Sequence, residues 1–310
     1  MNNYHRIQLV ILSYNRMDCL PRLFDELLLP AAQLGVQVTF VDNNSELPLQ
    51  DFLREYFSVP NIEIIINNEN FGVAKGRNIG FKRCQREFVV YLDDDSLIEL
   101  TNLECIPDVF DNTPEAGILA FRVIHGLDEC AQNDYGKETL AVGNFHGAGH
   151  AIRTDLLKEI GYLDENCFFG AEEIEFSMRA LVAGMKTIYT PGILIRHYSF
   201  PRTGKDSFKR RINWARNYAM VLFRYLPFLK ASLFSFRLLV SYLVDKISVI
   251  SFLIPFAMIH GGIRGLKSKN TLSAEGVAFY SNPETRPELG NLSIYSKFYK
   301  RVFKRNKISL

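Results

Sequence analysis

The chain has 310 residues, of which 47% are hydrophobic and 23% are charged, and these values argue against global disorder. A chain of this length can bury a substantial core as one large domain or as one domain with a helical extension. The 5 cysteines show no CxxC spacing, which argues against a disulfide framework or a zinc knuckle and fits a reducing cytoplasm. The apolar run at residues 7–12 is too short for a signal peptide.

The net charge of +2 conceals an uneven distribution of charges along the chain. Residues 1–195 hold 15 basic and 29 acidic side chains, whereas residues 196–310 hold 21 and 5. This asymmetry predicts an acidic catalytic half and a basic half that faces an anionic partner, either phospholipid or nucleic acid.

Strands and helices alternate in the first third of the sequence. Apolar runs rich in β-branched residues predict strands at residues 7–13, 36–41, 62–66 and 88–92. Helices are predicted at residues 20–34, with Asp18 as the N-cap, and at residues 74–83. This alternation predicts an α/β fold with a mostly parallel central sheet, which binds its ligand beyond the carboxyl ends of the strands.

A polar cluster follows each of these four predicted strands. The clusters occupy residues 13–16, 42–45, 67–70 and 93–96. One polar cluster after a strand indicates a turn. Four clusters at the same edge of one sheet indicate a binding site.

The triple aspartate Asp93, Asp94 and Asp95 is the sharpest local motif. Carboxylates at the end of a buried strand are costly to desolvate unless a cation lies between them. A divalent cation that bridges a diphosphate meets this need, because Mg²⁺ and Mn²⁺ prefer oxygen ligands. The alternative is an acidic turn or a helix N-cap that leads into Leu97.

A glycine-rich segment at residues 70–78 lies between the third and fourth predicted strands. Its glycines allow close backbone approach, and Lys75 and Arg77 can offset phosphate charge at the start of a helix. Glycine-rich loops are also common in structural roles, so the motif is informative mainly through its position.

An acidic pair, Glu172 and Glu173, opens a helix predicted between residues 170 and 184. Acids in a first turn also complement the helix dipole, and Glu175 can pair with Arg179 at i,i+4. For the pair we favour a catalytic role, because a carboxylate held near the dipole stays ionised and can accept a hydroxyl proton.

His197 follows a predicted apolar strand and precedes a basic segment. A lone histidine is more often structural than a ligand. Its position at the end of a strand nevertheless favours contact with a metal ion or a diphosphate.

Beyond residue 208 the sequence becomes apolar and basic. Helices are predicted at residues 214–227 and 231–262, and the uncharged run at 247–262 is shorter than the roughly 20 residues that span a bilayer. An in-plane or re-entrant helix, or a buried helical hairpin, fits this run better. We therefore divide the chain into a catalytic domain, residues 1–207, and a helical region, residues 208–310, which either associates with a membrane or caps the domain.

Taken in order, these motifs resemble those of family 2 glycosyltransferases with the GT-A fold, over about residues 6–200. The resemblance is carried by an opening strand, a nucleotide-base contact, an NxGxAxGRNxG loop, a DxD metal motif and an acceptor-side signature, at residues 10–16, 41–45, 70–80, 92–95 and 149–173. The C-terminal part is similar to members that build bacterial polysaccharides, including rhamnosyltransferase-like ones. Their acceptors are typically lipid-linked.

The resemblance implies a donor site and a metal site. Asp42 would bind the uracil or thymine base in a pocket lined by Tyr14 and Asn15. The remaining donor-binding residues would be Asn70, Gly72, Arg77, Asp93 and Asp94. The metal ligands, for Mn²⁺ or Mg²⁺, would be Asp93, Asp95 and His197.

The resemblance also implies a general base. The acidic motif of the family is usually Glu-Asp, and its Asp is the base. The sequence here reads Glu172-Glu173, which makes Glu173 the base by position. This departure leaves Glu172 as the alternative.

These inferences predict an inverting, metal-dependent glycosyltransferase. It would move a sugar from a UDP- or dTDP-sugar to a glycan acceptor, typically lipid-linked, in cell-surface polysaccharide biosynthesis. We expect it in the cytoplasm, peripherally associated with an anionic inner or plasma membrane surface, and without nucleic acid as a partner.

Three other functions compete with this prediction. A non-catalytic nucleotide-sugar-binding or scaffold protein of the same fold would be expected to have damaged acidic motifs, and here both are intact. A nucleic-acid-binding protein would interleave aromatic and basic residues, whereas the basic half contains long apolar runs. A nucleotidyltransferase would prefer a glycine-rich basic loop after the first strand, where this chain has residues 13–16.

Overall fold

The computed structural model describes residues 3–199, 205–245 and 252–282. The chain divides into two compact units. The first comprises Met1–Phe168 and Glu175–Pro201, and the second comprises Phe169–Ile174 and Arg202–Leu310. The domain boundary proposed from the sequence, between residues 207 and 208, stays a prediction.

The first unit contains one sheet. Its strands, in chain order, are β1 (Ile7–Ser13), β2 (Gln37–Asp42), β3 (Ile62–Ile66), β4 (Phe88–Asp93), β5 (Ser96–Ile98), β6 (Ala116–His125), β7 (Ala131–Asn133), β8 (Leu140–Val142), β9 (Gly149–Arg153) and β10 (Lys186–His197). The spatial order is β3-β2-β1-β4-β9-β6-β10-β5, with β7 beside β6 and β8 beside β10.

The first four strands pair parallel, as the alternation of strands and helices predicts. The rest of the sheet is mixed. β9 is antiparallel to both β4 and β6, while β10 is parallel to β6 and antiparallel to β5. The α/β fold class is confirmed, with the parallel part of the sheet confined mainly to β1–β4.

The helices of the first unit surround this sheet. They are α1 (Leu20–Leu23), which continues through a π-helical turn (Phe24–Leu28) into α2 (Leu29–Gln33), then α3 (Leu47–Arg54), α4 (Gly72–Phe81), α5 (Leu100–Asn112), α6 (Thr154–Ile160) and α7 (Glu172–Val182). α7 begins in the stretch assigned to the second unit. Among the residues described in this unit, two apolar clusters form the core. Side chains that alternate along β1 contribute to both clusters, because strand residues point to opposite faces.

The strand bounds agree closely with those predicted. β1 and β3 match to the residue, and β2 and β4 extend to Asp42 and Asp93. The second predicted helix begins earlier, at Gly72. Asp18 does not cap the first helix, so this prediction was wrong: Cys19 is the N-cap residue, and the Asp18 carboxylate instead lies 3.1 Å from Nε of Arg16. A guanidinium gives the carboxylate an ionised partner, which a backbone amide does not.

Glycines let α4 lie close to the sheet. A Cβ at Gly76 would lie 2.7 Å from the Leu12 side chain, and one at Gly80 would lie 2.5 Å from that of Val10. Both distances are shorter than carbon atoms tolerate, so small residues are required on this face of the helix. The start of α4 is thereby held near the ends of β1 and β2.

The second unit is helical. Its helices are α8 (Lys205–Tyr225), α9 (Phe228–Asp245), α10 (Leu253–Lys267) and α11 (Ala274–Ser281). Parts of α9 and α10 cover the range of the helix predicted at residues 231–262, and residues 247–251 of the uncharged run lie outside the described residues. Among the described residues, no helix combines the length and apolar character that a membrane span requires.

Close packing joins α8 to α10. A Cβ at Gly261 would collide with the carbonyl oxygen of Arg216, and one at Gly265 with that of Met220. Glycines four residues apart therefore let the two helix backbones approach directly. Ile254 on α10 is buried against α8 in the same contact.

Candidate active site

The carboxyl ends of three neighbouring strands form the centre of the candidate site. Asp42 pairs in register with Ser13, and Asp93 pairs with Leu12. The ends of β2 and β4 therefore flank the end of β1. This places the predicted base-contact and metal motifs at one edge of the sheet, where open α/β sheets bind ligands.

A second strand pairing brings His197 to the triple aspartate. β5 begins directly after Asp95 and pairs antiparallel with the end of β10, so that His197 lies opposite Ser96. Ligand atoms of Asp93, Asp95 and His197 all lie within 4.8 Å of one another. Two carboxylates and one imidazole nitrogen in this arrangement could hold a divalent metal ion.

Hydrogen bonds orient the His197 ring. Nε2 lies 3.1 Å from Oδ1 of Asp95, and Nδ1 lies 2.7 Å from Oε1 of Gln132. A partner on one ring nitrogen fixes the direction of the other. Gln132 therefore keeps Nε2 of His197 directed at the aspartates.

The two buried aspartates titrate differently. Burial, followed by the charge of Asp95, raises the pKa of Asp94 to about 7. Burial also acts to raise the pKa of Asp95, but hydrogen bonds and charge from His197 and Arg16 hold that pKa below its usual range. Burial acts to lower the pKa of His197, and the Asp95 carboxylate outweighs burial and raises it. At neutral pH Asp95 is therefore ionised, while Asp94 is near its midpoint.

The Arg77 guanidinium is buried beside Asp93. Its Nη2 lies 3.4 Å from Oδ1 of Asp93 and 3.4 Å from the carbonyl oxygen of Gly147. The guanidinium also lies over the Tyr91 ring, 4.3 Å from its centroid, and the Tyr91 hydroxyl donates to the same Asp93 oxygen at 2.8 Å. These contacts fix the Asp93 carboxylate. The predicted contact of Arg77 with a donor stays a prediction.

The residues predicted to bind the base lie together. The Asp42 carboxylate is fully buried, and its oxygens accept hydrogen bonds from the Ser45 backbone at 3.2 and 3.1 Å. Burial raises the pKa of Asp42. The Asn15 backbone donates to Oγ of Ser45 at 2.8 Å, and the preceding Tyr14 is 46% exposed. The loops after β1 and β2 are therefore tied together around Asp42.

Asn43 joins the loop after β2 to the glycine-rich segment. Its Nδ2 donates to Oδ1 of Asn70 at 2.9 Å and to the carbonyl oxygen of Gly72 at 3.2 Å. Gly72 has a φ of +77°, and a Cβ there would lie 2.6 Å from the Phe168 ring. Only glycine fits this position. Asn70 and Gly72 thus shape the loop at the start of α4, and their contact with a donor stays a prediction.

The acidic pair opens α7 within the second unit. The Asn217 amide on α8 donates to the carbonyl oxygens of Phe169 and Gly170, at 3.2 and 2.9 Å, just before this helix. Glu172 is buried, with 2% of its surface exposed, and Glu173 is more accessible. A base must reach its substrate, so accessibility favours Glu173. The catalytic role of either residue stays a prediction.

Two family models match the chain. "Glycosyl transferase family group 2" matches residues 88–264, which is more than half of the chain, and "Glycosyl transferase family 2" matches residues 8–160. The chain belongs to the family 2 glycosyltransferases. The predicted family and the enzyme class, a glycosyltransferase, are confirmed.

Three curated relatives of this family 2 glycosyltransferase are 24–30% identical to it. An uncharacterised protein of Haemophilus influenzae is 30% identical over 52% of this chain and 94% of its own length. The pre-mycofactocin glycosyltransferase of Mycobacterium tuberculosis is 26% identical over 53% of this chain and 37% of its own length. The dTDP-rhamnosyl transferase RfbF of Shigella flexneri is 24% identical over 62% of this chain and 68% of its own length.

Solved glycosyltransferase structures share the fold. GalNAc-T7 with UDP, GalNAc and Mn²⁺ has a TM-score of 0.60 and 15% identity, over 83% of this chain and 55% of that one. TarS 1–349 of S. aureus with UDP-GlcNAc has a TM-score of 0.60 and 17% identity, over 83% and 81%. The mannosyltransferase PcManGT of Pyrobaculum calidifontis with GDP-Man and Mn²⁺ has a TM-score of 0.56 and 16% identity, over 97% of this chain and 88% of that one. At these identities the likeness shows the fold alone, and the predicted GT-A fold is confirmed.

Arg16, Asn43 and Gln132 contact the site but were not among the predicted site residues. Arg16 and Asn43 lie inside predicted polar clusters, so a search for a partner to the buried acids could have found Arg16. Gln132 lies on β7, in a segment without a motif. Its contact with His197 depends on long-range strand pairing, and no local signal indicates it.

Proposed function

We propose that this protein is an inverting, metal-dependent glycosyltransferase that transfers a sugar from a UDP- or dTDP-sugar to a glycan acceptor. One observation carries the proposal: ligand atoms of Asp93, Asp95 and His197 converge within 4.8 Å at the carboxyl edge of a GT-A sheet. A structural acidic turn does not require a histidine from a strand that is distant in sequence.

The three convergent residues would hold Mn²⁺ or Mg²⁺. The oxygen donors suit both ions, and an imidazole nitrogen suits a transition metal better, which favours Mn²⁺. When bound, the cation would offset the charge of the leaving nucleotide diphosphate. GalNAc-T7 and PcManGT, which share the fold, were solved with Mn²⁺.

The donor would lie against the ends of β1, β2 and β4. We assign base recognition to Asp42, with Tyr14 and Asn15 lining the pocket, because these three lie together in the loops after β1 and β2. Neighbours bound to UDP or UDP-GlcNAc, and the relative named a dTDP-rhamnosyl transferase, support a uridine or thymidine donor.

The chemical step would need a base on the acceptor side. Glu173 takes the proton of an acceptor hydroxyl, whose oxygen forms a bond to the anomeric carbon of the sugar. The bond between that carbon and the donor phosphate oxygen breaks, and its electron pair leaves with the nucleotide diphosphate. A single displacement of this kind inverts the anomeric configuration.

We further propose that the second unit binds an anionic membrane that carries a lipid-linked acceptor. α10 and its N-cap expose an apolar face, with exposures of 73%, 71%, 61% and 49% for Phe252, Phe256, Ile259 and Ile263. This spacing places them on one side of the helix. Basic residues follow in the last turn, and 253–267 contains no acid. Such a helix suits the interface of an anionic bilayer.

Nucleotide binding to the purified protein tests the donor site. With Mn²⁺ present, we expect UDP or dTDP to bind at least about tenfold more tightly than with EDTA, because the cation offsets diphosphate charge. Asp95→Asn should abolish the dependence of nucleotide affinity on Mn²⁺. Asp42→Asn should weaken the binding of UDP and dTDP but not that of inorganic pyrophosphate. Calorimetry measures each affinity. Equal affinity with Mn²⁺ and EDTA would contradict the metal-dependent mechanism and favour a non-catalytic binding protein.

A further inference from the structure

The Arg16 guanidinium is in contact with the buried aspartates Asp94 and Asp95. Asp94 and Asp95 are 7% and 8% exposed, and a carboxylate at such depth requires a counter-charge. Nη1 of Arg16 lies 2.8 Å from Oδ2 of Asp95 and 3.4 Å from Oδ1 of Asp94. One guanidinium nitrogen therefore bridges two neighbouring carboxylates.

The same guanidinium is anchored from the other side. Nε and Nη2 of Arg16 donate to the two oxygens of Asp18, at 3.1 and 3.3 Å. Asp18 is well exposed, whereas the Arg16 side chain is 13% exposed. Arg16 is thus held along the loop after β1, with one end in the acidic cluster and the other near solvent.

Arg16 and a metal ion would share the Asp95 carboxylate. Oδ1 of Asp95 faces His197 in the candidate metal cluster, and Oδ2 faces Arg16. A divalent cation held by Asp93, Asp95 and His197 would therefore lie near a fixed positive charge. Charges at such short distances repel appreciably even at high effective dielectric.

We infer that Arg16 is the internal counter-cation of this site: it holds the aspartates together when no metal is bound, and it lowers their affinity for a divalent cation supplied alone. This inference rests on the proposed metal site. It assigns Arg16 an electrostatic role in cation affinity, separate from the ligand roles of Asp93, Asp95 and His197. A nucleotide diphosphate would then favour metal binding by offsetting the guanidinium charge as well as by ligating the ion.

Direct measurement of Mn²⁺ affinity tests the inference without any turnover. The concentration of free Mn²⁺ is measured by electron paramagnetic resonance in titrations of wild type, Arg16→Met and Arg16→Lys, with no nucleotide present. We expect Arg16→Met to bind Mn²⁺ at least about tenfold more tightly than wild type, and Arg16→Lys to stay near wild type because it keeps the charge. Arg54→Met is the control and should bind Mn²⁺ as wild type does, since Arg54 lies on α3 and pairs with Asp51 instead.

The outcomes separate this inference from the proposed function. If wild type and Arg16→Met both fail to bind Mn²⁺, the metal site itself is wrong. If both bind it equally, or Arg16→Met binds it more weakly, the metal site stands and the counter-cation role is overturned. If Arg16→Met folds only when Mn²⁺ is present, the ion replaces the guanidinium, which supports the inference. If Mn²⁺ does not rescue its folding, the inference is overturned.

Discussion

His150 is a fully buried imidazole one strand away from the triple aspartate. Its ring stacks on Tyr91, with centroids 5.2 Å apart, and packs against Phe145 at 4.3 Å. Burial, followed by the charge of Arg77, lowers the pKa of His150 well below its ordinary value. The folded protein therefore keeps this ring neutral at a pH where the unfolded chain protonates it.

This residue predicts a pH dependence of stability. The unfolded chain binds a proton below a pH of about 6.5 and folded His150 does not, so the folded state loses stability as the pH falls below that value. Between pH 7 and pH 5 the loss from one such group is about 2 kcal/mol. His150→Phe should remove that part of the slope. Urea unfolding at several pH values measures the free energy of unfolding of both proteins. If this free energy depends on pH in the variant as it does in wild type, the burial argument is contradicted.

The acidic residues of the candidate site could be predicted from the sequence, because they are consecutive and follow a buried strand. The position of His197 beside them could not be worked out locally, since it depends on the pairing of β5 with β10. The resemblance to the family supplied it. Arg16 was missed because a single arginine in a polar cluster has no distinctive spacing.

At the scale of elements, the bounds of strands flanked by turn residues were predictable from the sequence. The position of a strand that lies between two others distant in the chain, such as β9, was not. β1 and β3 are predominantly apolar runs that are followed by polar clusters, so their bounds follow from composition. β9 spans only Gly149–Arg153, and its position between β4 and β6 is fixed by antiparallel pairing with residues distant in the chain. Periodicity alone does not contain this information.

α10 gives a prediction at this scale. The double variant Phe256→Ser/Ile259→Ser removes two exposed apolar side chains, so it should fold as wild type does. Its affinity for anionic vesicles should fall by about tenfold or more. Co-sedimentation with phosphatidylcholine vesicles, with and without phosphatidylglycerol, measures the change.

An exposed aromatic residue of the first unit provides the control for this pair. Phe57 is 53% exposed, and Phe57→Ser should leave vesicle binding unchanged. If wild type shows no preference for phosphatidylglycerol, or if the α10 pair binds as wild type does, the membrane-facing role of α10 is wrong.

At the scale of the whole molecule, charge is divided along the chain in the same way as the proposed roles. The segment of residues 1–195, which is rich in acids, includes the two aspartates of the candidate metal site, Asp93 and Asp95. The basic segment of residues 196–310 includes the helices proposed to meet an anionic membrane. Such a division would bring a lipid-linked acceptor to the protein by electrostatic attraction, while the cation offsets charge at the donor.

Turnover of nucleotide sugars tests the central claim most directly. Purified protein is incubated with Mn²⁺, a bacterial lipid extract as the acceptor source, and UDP-, dTDP- and GDP-sugars, and release of the nucleotide diphosphate is measured. We expect a uridine or thymidine donor to be consumed, with a loss of about 100-fold or more in Asp95→Asn and Glu173→Gln. The surface variant Glu159→Gln should retain wild-type activity. Turnover that survives in Asp95→Asn and Glu173→Gln, or no turnover of any donor by wild type, would contradict the account.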